Sequence, residues 1–87
     1  MQRIYKYQLV LTTEQDIAIP ENAIIQSVQT QKESPCIWAL VDPDAEFVKR
    51  TIFMYGTGHI VTEECIGFIG TFQLAHETLV FHVYEKL

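Results

Sequence analysis

From Arg3 to Leu11 the chain alternates: Tyr5, Tyr7, Leu9 and Leu11 share one side, and Lys6 and Gln8 the other. A period of two marks a strand with one better-buried face. Thr12 to Gln15 is polar and turn-like. Asp16 to Ile19 predicts a short strand, stopped by Pro20-Glu21-Asn22. Ile24 to Gln31 alternates again around Val28, and Lys32 to Pro35 predicts a loop. Cys36-Ile37-Trp38-Ala39-Leu40-Val41 is apolar at every position, so it must be covered on both sides. Asp42-Pro43-Asp44 ends it, because proline fixes φ and aspartate bonds to its own following backbone. Ala45 to Lys49 has room for one helical turn. Thr51 to Tyr55 predicts a strand with large side chains on both faces, broken by Gly56-Thr57-Gly58. Thr62 to Cys65 predicts a polar connector or one helical turn with Thr62 as its cap. Phe68 to Leu74 and Thr78 to Tyr84 predict the last two strands, joined by Ala75-His76-Glu77, a hairpin-length link.

The pattern predicts an all-β fold: a compact antiparallel β-sandwich or small barrel of six to seven short strands. Composition agrees. Val, Ile and Thr number 25 among 87 residues, and these β-branched side chains suit a pleated surface. That length makes a single domain, residues 1–87, with a thin core. The segments 36–41, 51–55 and 79–84 are apolar on both faces. A two-layer sandwich has one interior and should have polar outer faces, yet Ile37, Val41, Phe53, Tyr55, Val80 and Tyr84 fall on the outer side and cannot easily share one core with Trp38, Leu40, Ile52, Met54, Leu79, Phe81 and Val83. A leftover apolar face marks an interface, and burial is worth about 1.5–3 kcal/mol per such side chain. The expectation is a homo-oligomer. The alternative is a closed barrel, or strands covered by the 42–50 and 56–67 loops.

The net charge of −5 removes the basic surface that a DNA, RNA or anionic-membrane binder uses. Two cysteines, Cys36 and Cys65, are too few for a disulfide scaffold and lack CxxC spacing. Met1 to Lys6 has no apolar signal-peptide region, and no apolar run is long enough to span a bilayer. The expected location is the cytosol, and no cofactor is implied.

Gly56-Thr57-Gly58-His59 reads first as a turn. Its second reading is a ligand contact, since glycines admit close backbone approach and successive N–H groups cradle an anion. The third glycine, lysine and long helix of a nucleotide-binding fingerprint are missing. Lys49-Arg50 is the only adjacent cationic pair. It is either a solvated loop pair or a phosphate partner, with Arg50 gripping bidentately. Trp38 is either core or a platform for a base, and Tyr55 offers the same stacking surface. The histidines His59, His76 and His82 lack metal-binding spacing, so no metal site is expected. His82, alternating with Val80 and Tyr84, is an interface residue or a ligand donor. Ser27, Ser34, the cysteines and Glu63-Glu64 assemble no nucleophile, base and oxyanion hole, so no enzyme is expected.

The runs Pro35-Cys36-Ile37-Trp38-Ala39-Leu40-Val41-Asp42-Pro43, Lys49-Arg50, Tyr55-Gly56-Thr57-Gly58-His59, Ile69-Gly70-Thr71-Phe72-Gln73-Leu74 and Leu79-Val80-Phe81-His82-Val83 resemble a family of small uncharacterised proteins of tailed bacteriophages and prophages. The likeness spans nearly the whole chain. It departs after His59, where Ile60-Val61-Thr62-Glu63-Glu64 replaces a proline-containing loop. The resemblance implies action in the cytoplasm of an infected bacterium. By analogy with other small phage proteins, it implies sequestration, without catalysis, of a phosphate-bearing nucleotide immune signal such as a cyclic oligonucleotide or an ADP-ribose derivative. The ligand-binding residues would then be Trp38, Lys49, Arg50, Tyr55, Gly56, Thr57, Gly58, His59 and His82, in pockets at subunit seams. The alternatives are a protein-interaction or virion-associated module without a small-molecule ligand, and a small hydrolase using His59 or His82 as base.

Overall fold

The computed structural model describes residues 1–76 and 78–87. Seven strands form it: β1 (Arg3–Gln8), β2 (Glu14–Pro20), β3 (Ile24–Gln31), β4 (Ser34–Val41), β5 (Phe47–Gly56), β6 (Ile66–Leu74) and β7 (Leu79–Lys86). Every paired neighbour is antiparallel. One sheet has the order β1-β4-β3, the other β2-β5-β7-β6. The expected sandwich is therefore the observed one.

The core lies between the sheets. Ile37, Ala39 and Val41 of β4 face Ile17 and Ile19 of β2, Ile52 and Met54 of β5, and Val83 of β7. On β4 this reverses the expected sides: Trp38 and Leu40 point outward and are half-buried, while Ile37 and Val41 are fully enclosed. An all-apolar run carries no alternation to say which side is inner.

The helical turn expected over 45–49 is absent, because β5 begins at Phe47 and pairs with β2 as far as Pro20. The 62–65 connector is also non-helical. The expected 32–35 loop is tighter than its composition implied. Only Lys32 and Glu33 turn the chain, with φ of 51° and 64°. Two successive positive φ values match the right-handed twist of flanking strands in a two-residue hairpin. Of the 75–77 link, Glu77 lies outside the described residues.

The sheets meet along β3 and β6. Thr30 Oγ1 donates to the Gln73 carbonyl at 2.8 Å. A Cβ on Gly70 would sit 2.9 Å from Val28 Cγ1, so only glycine admits this approach. At the other margin, the Gln15 side chain binds both Val10 N–H and Val10 C=O, holding the bend between β1 and β2.

Strands β5 and β6 both run antiparallel to β7, which lies between them. They are therefore parallel, and their connector, residues 57–65, must cross a face of the sheet. It crosses the outer face, since Val61 lines a cleft there with Tyr55, His82 and Tyr84. It lies beside Tyr55, on the outward side of β5 and only 5% exposed, while Phe53, 2% exposed, stacks on Tyr55 with centroids 6.4 Å apart. Much of the apolar surplus on the four-stranded sheet is thus covered by the chain itself. On the outer face of the three-stranded sheet, Leu40 pairs with Ile4 on one side and Ile24 on the other. Ile4 and Ile24 are 60% and 56% exposed.

Tyr7 packs against both core clusters, and its hydroxyl is buried without a hydrogen-bond partner among the described residues. Burial pushes its phenol pKa up, and neighbouring Tyr5 adds to the rise. A buried hydroxyl left unpaired costs about 1–3 kcal/mol. Tyr7→Phe is expected to leave stability unchanged or raise it by up to about 1 kcal/mol in urea unfolding. A loss above that would mean that the hydroxyl has a partner.

Candidate functional site

The run Gly56-Thr57-Gly58-His59 folds back on itself at the end of β5. His59 N–H donates to the Gly56 carbonyl at 3.0 Å. Gly56 N–H donates to His59 Nδ1 at 3.2 Å. A Cβ on residue 56 would lie 2.9 Å from His59 Cε1, so glycine is what lets the ring lie over the backbone. Gly58 takes a φ of 90°, a region that side chains with a Cβ rarely adopt. Because Nδ1 accepts, the His59 proton is on Nε2, and that N–H is left as a donor.

Thr57 N–H donates to the Val80 carbonyl, tying the turn to β7. Its hydroxyl lies 2.8 Å from His82 Nε2. His82 is placed by its strand: Tyr55 is its partner on β5 and Thr71 its partner on β6. Beside it, Tyr84 meets the Tyr55 ring edge-on, with centroids 6.1 Å apart. Together Tyr55, the 56–59 turn, Val61, His82 and Tyr84 line a cleft of about 230 Å³.

Six of the nine expected binding residues thus converge: Tyr55, Gly56, Thr57, Gly58, His59 and His82. The other three do not join them. Trp38 is on the outer face of the other sheet, between Lys6 and Ser27. Lys49 and Arg50 are split between the two faces of β5, as adjacent residues in a strand must be. Lys49 points outward with Nζ 3.9 Å from Asp16 Oδ2 and is mostly exposed. Arg50 points inward. Its Nε and Nη2 donate to the two carboxylate oxygens of Glu85, and its Nη1 donates to the Ala23 carbonyl at 2.6 Å. The joint cationic grip on a phosphate is therefore not formed. The turn is not an anion cradle either, since the N–H groups of Gly56, Thr57 and His59 are all taken up internally.

The sequence reading missed Tyr84 and Val61 as cleft residues. Tyr84 had a signal, its two-residue spacing from His82 on one strand face. Val61 had none, because only the crossover brings it there. Among the described residues, no group of three or more His, Cys, Asp or Glu is placed to hold a metal. Cys36 is buried and Cys65 exposed, and they form no disulfide with each other. No helix is long and apolar enough to cross a membrane.

The fold and this cleft define a small two-sheet β-sandwich module with a histidine-bearing cleft on its four-stranded sheet. Residues 1–87 match the family model described as a domain of unknown function, DUF7352, and the chain belongs to that family. No curated protein and no solved structure matches it.

Proposed function

We propose that this chain is a homo-oligomeric binding protein that takes up a small nucleotide-type signal without altering it, acting in the cytoplasm of a phage-infected bacterium. The observation that supports this most is the convergence of Thr57, His59 and His82 beside the Tyr55 and Tyr84 rings. Hydroxyl and imidazole groups suit the edges of a base and the hydroxyls of a ribose. The half-buried Tyr84 ring suits a planar base, with the buried Tyr55 ring supporting it edge-on. Among the described residues, no lysine or arginine lines the cleft. On this reading the base and ribose are held, and the phosphates face solvent or meet the His59 Nε2–H.

The test is to incubate the protein with a panel of cyclic oligonucleotides and ADP-ribose derivatives, isolate it, heat it and analyse what is released. Uptake and release of intact nucleotide is the expected result. A ligand at about 100 times its Kd adds about 2.7 kcal/mol of stability, visible as a thermal shift. Thr57→Val together with His82→Leu is expected to remove uptake while the far-ultraviolet spectrum stays unchanged. Chemically altered nucleotide would replace the proposal with the hydrolase reading. No uptake across the panel would replace it with the interaction-module reading. That second reading draws on the exposed Ile4–Leu40–Ile24 row beside Trp38. Light scattering checks the assembly, and a monomer at high concentration would remove the homo-oligomeric part of the proposal.

A further inference from the structure

A second cleft, of about 390 Å³, opens where β6 approaches the start of β3. Its apolar walls include Ile25, Phe68, Ile69 and Leu87, and Arg50 and Glu85 also line it. An apolar cleft with a few placed polar groups is the usual form of a small-molecule site. A guanidinium has five N–H donors. Three of those on Arg50 are matched, two to Glu85 and one to the Ala23 carbonyl. Two remain unmatched among the described residues. The side chains of the pair are 21% and 17% exposed, so the pair is partly screened from water. There a hydrogen bond is stronger than in water.

The sign of the ligand follows from the pair. Glu85 already offsets the Arg50 charge, and the whole chain carries −5. An incoming anion would gain little from the guanidinium and would meet the Glu85 carboxylate. A neutral carbonyl oxygen satisfies the same donors without that repulsion, and an apolar body covers the walls. From this we infer that the Arg50–Glu85 cleft is a binding site for a small, apolar-bodied, uncharged molecule presenting a carbonyl acceptor, such as an amide, ester or lactone. It is separate from the Thr57–His82 cleft, and no residue lines both.

Three probes share one alkyl body and differ in head group: hexanamide, hexanoate and hexylammonium. Each is titrated into isotope-labelled protein at pH 7 while backbone amide resonances are followed. Hexanamide is expected to give saturable shifts at 23–25 and 67–69, with hexanoate at least ten times weaker. Leu87→Ala changes an exposed wall residue and is expected to weaken hexanamide several-fold with the fold retained. The double variant Arg50→Met/Glu85→Leu replaces the pair by apolar groups and is expected to abolish the preference for the amide head group over the two ions. The inference is overturned if no probe saturates, if hexanoate binds as well as hexanamide, if the shifts gather at 55–59, or if the double variant keeps the amide preference. None of these outcomes bears on nucleotide uptake at Thr57 and His82, so the two proposals stand or fall apart.

Discussion

Ile52→Ala is expected to cost about 2–5 kcal/mol, the range for removing a buried isoleucine side chain from a packed core. Ile52 is fully enclosed and belongs to the main cluster with Leu9, Val28, Ile37 and Val83. Its strand is central in the larger sheet, with β2 on one side and β7 on the other, so the backbone has little freedom to collapse into the space. A domain of this length has a total stability of roughly 4–13 kcal/mol at about 0.05–0.15 kcal/mol per residue. The variant therefore loses a large part of it. The urea midpoint should fall while the slope stays constant. Ile24→Ala is the matched control. Ile24 is 56% exposed, so the same chemical deletion should stay within about 0.5 kcal/mol. Equal costs at the two positions would mean that the core does not lie where the sheets enclose it.

Arg50→Ala is the second large effect, and it separates two roles for one residue. As a ligand-gripping cation on a loop, Arg50 would be removable with binding lost and stability kept. In the structure its guanidinium ties β5 to Glu85 of β7 and to the Ala23 carbonyl in the turn before β3. Removing it leaves a carboxylate and a carbonyl without their donor. Breaking a fully buried pair costs about 3–5 kcal/mol. This pair is partly exposed, with side-chain values of 21% and 17%, so water recovers some of that. The expected loss is about 1.5–3 kcal/mol, read as a lower urea midpoint. Arg50→Met/Glu85→Leu should recover most of it, because no charge is then stranded. A stable Arg50→Ala protein would show that the pair is structurally idle.

The fate of Lys49-Arg50 shows what the sequence reading lacked. The pair looked like one cationic feature because the two residues are adjacent and precede the strand expected to begin at Thr51. Once β5 is seen to start at Phe47, the period of two sends the neighbours to opposite faces. Lys49 then has water and Asp16, and Arg50 has Glu85, 35 residues away. No local pattern announces such a partner. Trp38 is a parallel case. Its run is apolar throughout, so alternation gave no support to the expected inward placement of Trp38, and the structure puts the ring outside the sandwich.

The strands themselves, the turns at Asn22 and at Gly56-Thr57-Gly58, and the antiparallel all-β class were readable from the chain, while the choice of a two-sheet sandwich over a small barrel was not. They rest on near-neighbour physics: alternation along a strand, fixed φ at proline, permissive φ at glycine and asparagine. The local fold of the 56–59 turn was likewise implied by its own four residues. What only the tertiary structure decided is which distant residues meet. The crossover of 57–65 over β7 brings Val61 into one cleft with Tyr55 and Tyr84, and the pairing of β5 with β7 puts His82 beside Thr57. Strand order depends on long-range packing between segments tens of residues apart, and an alternating pattern is equally satisfied by many such orders.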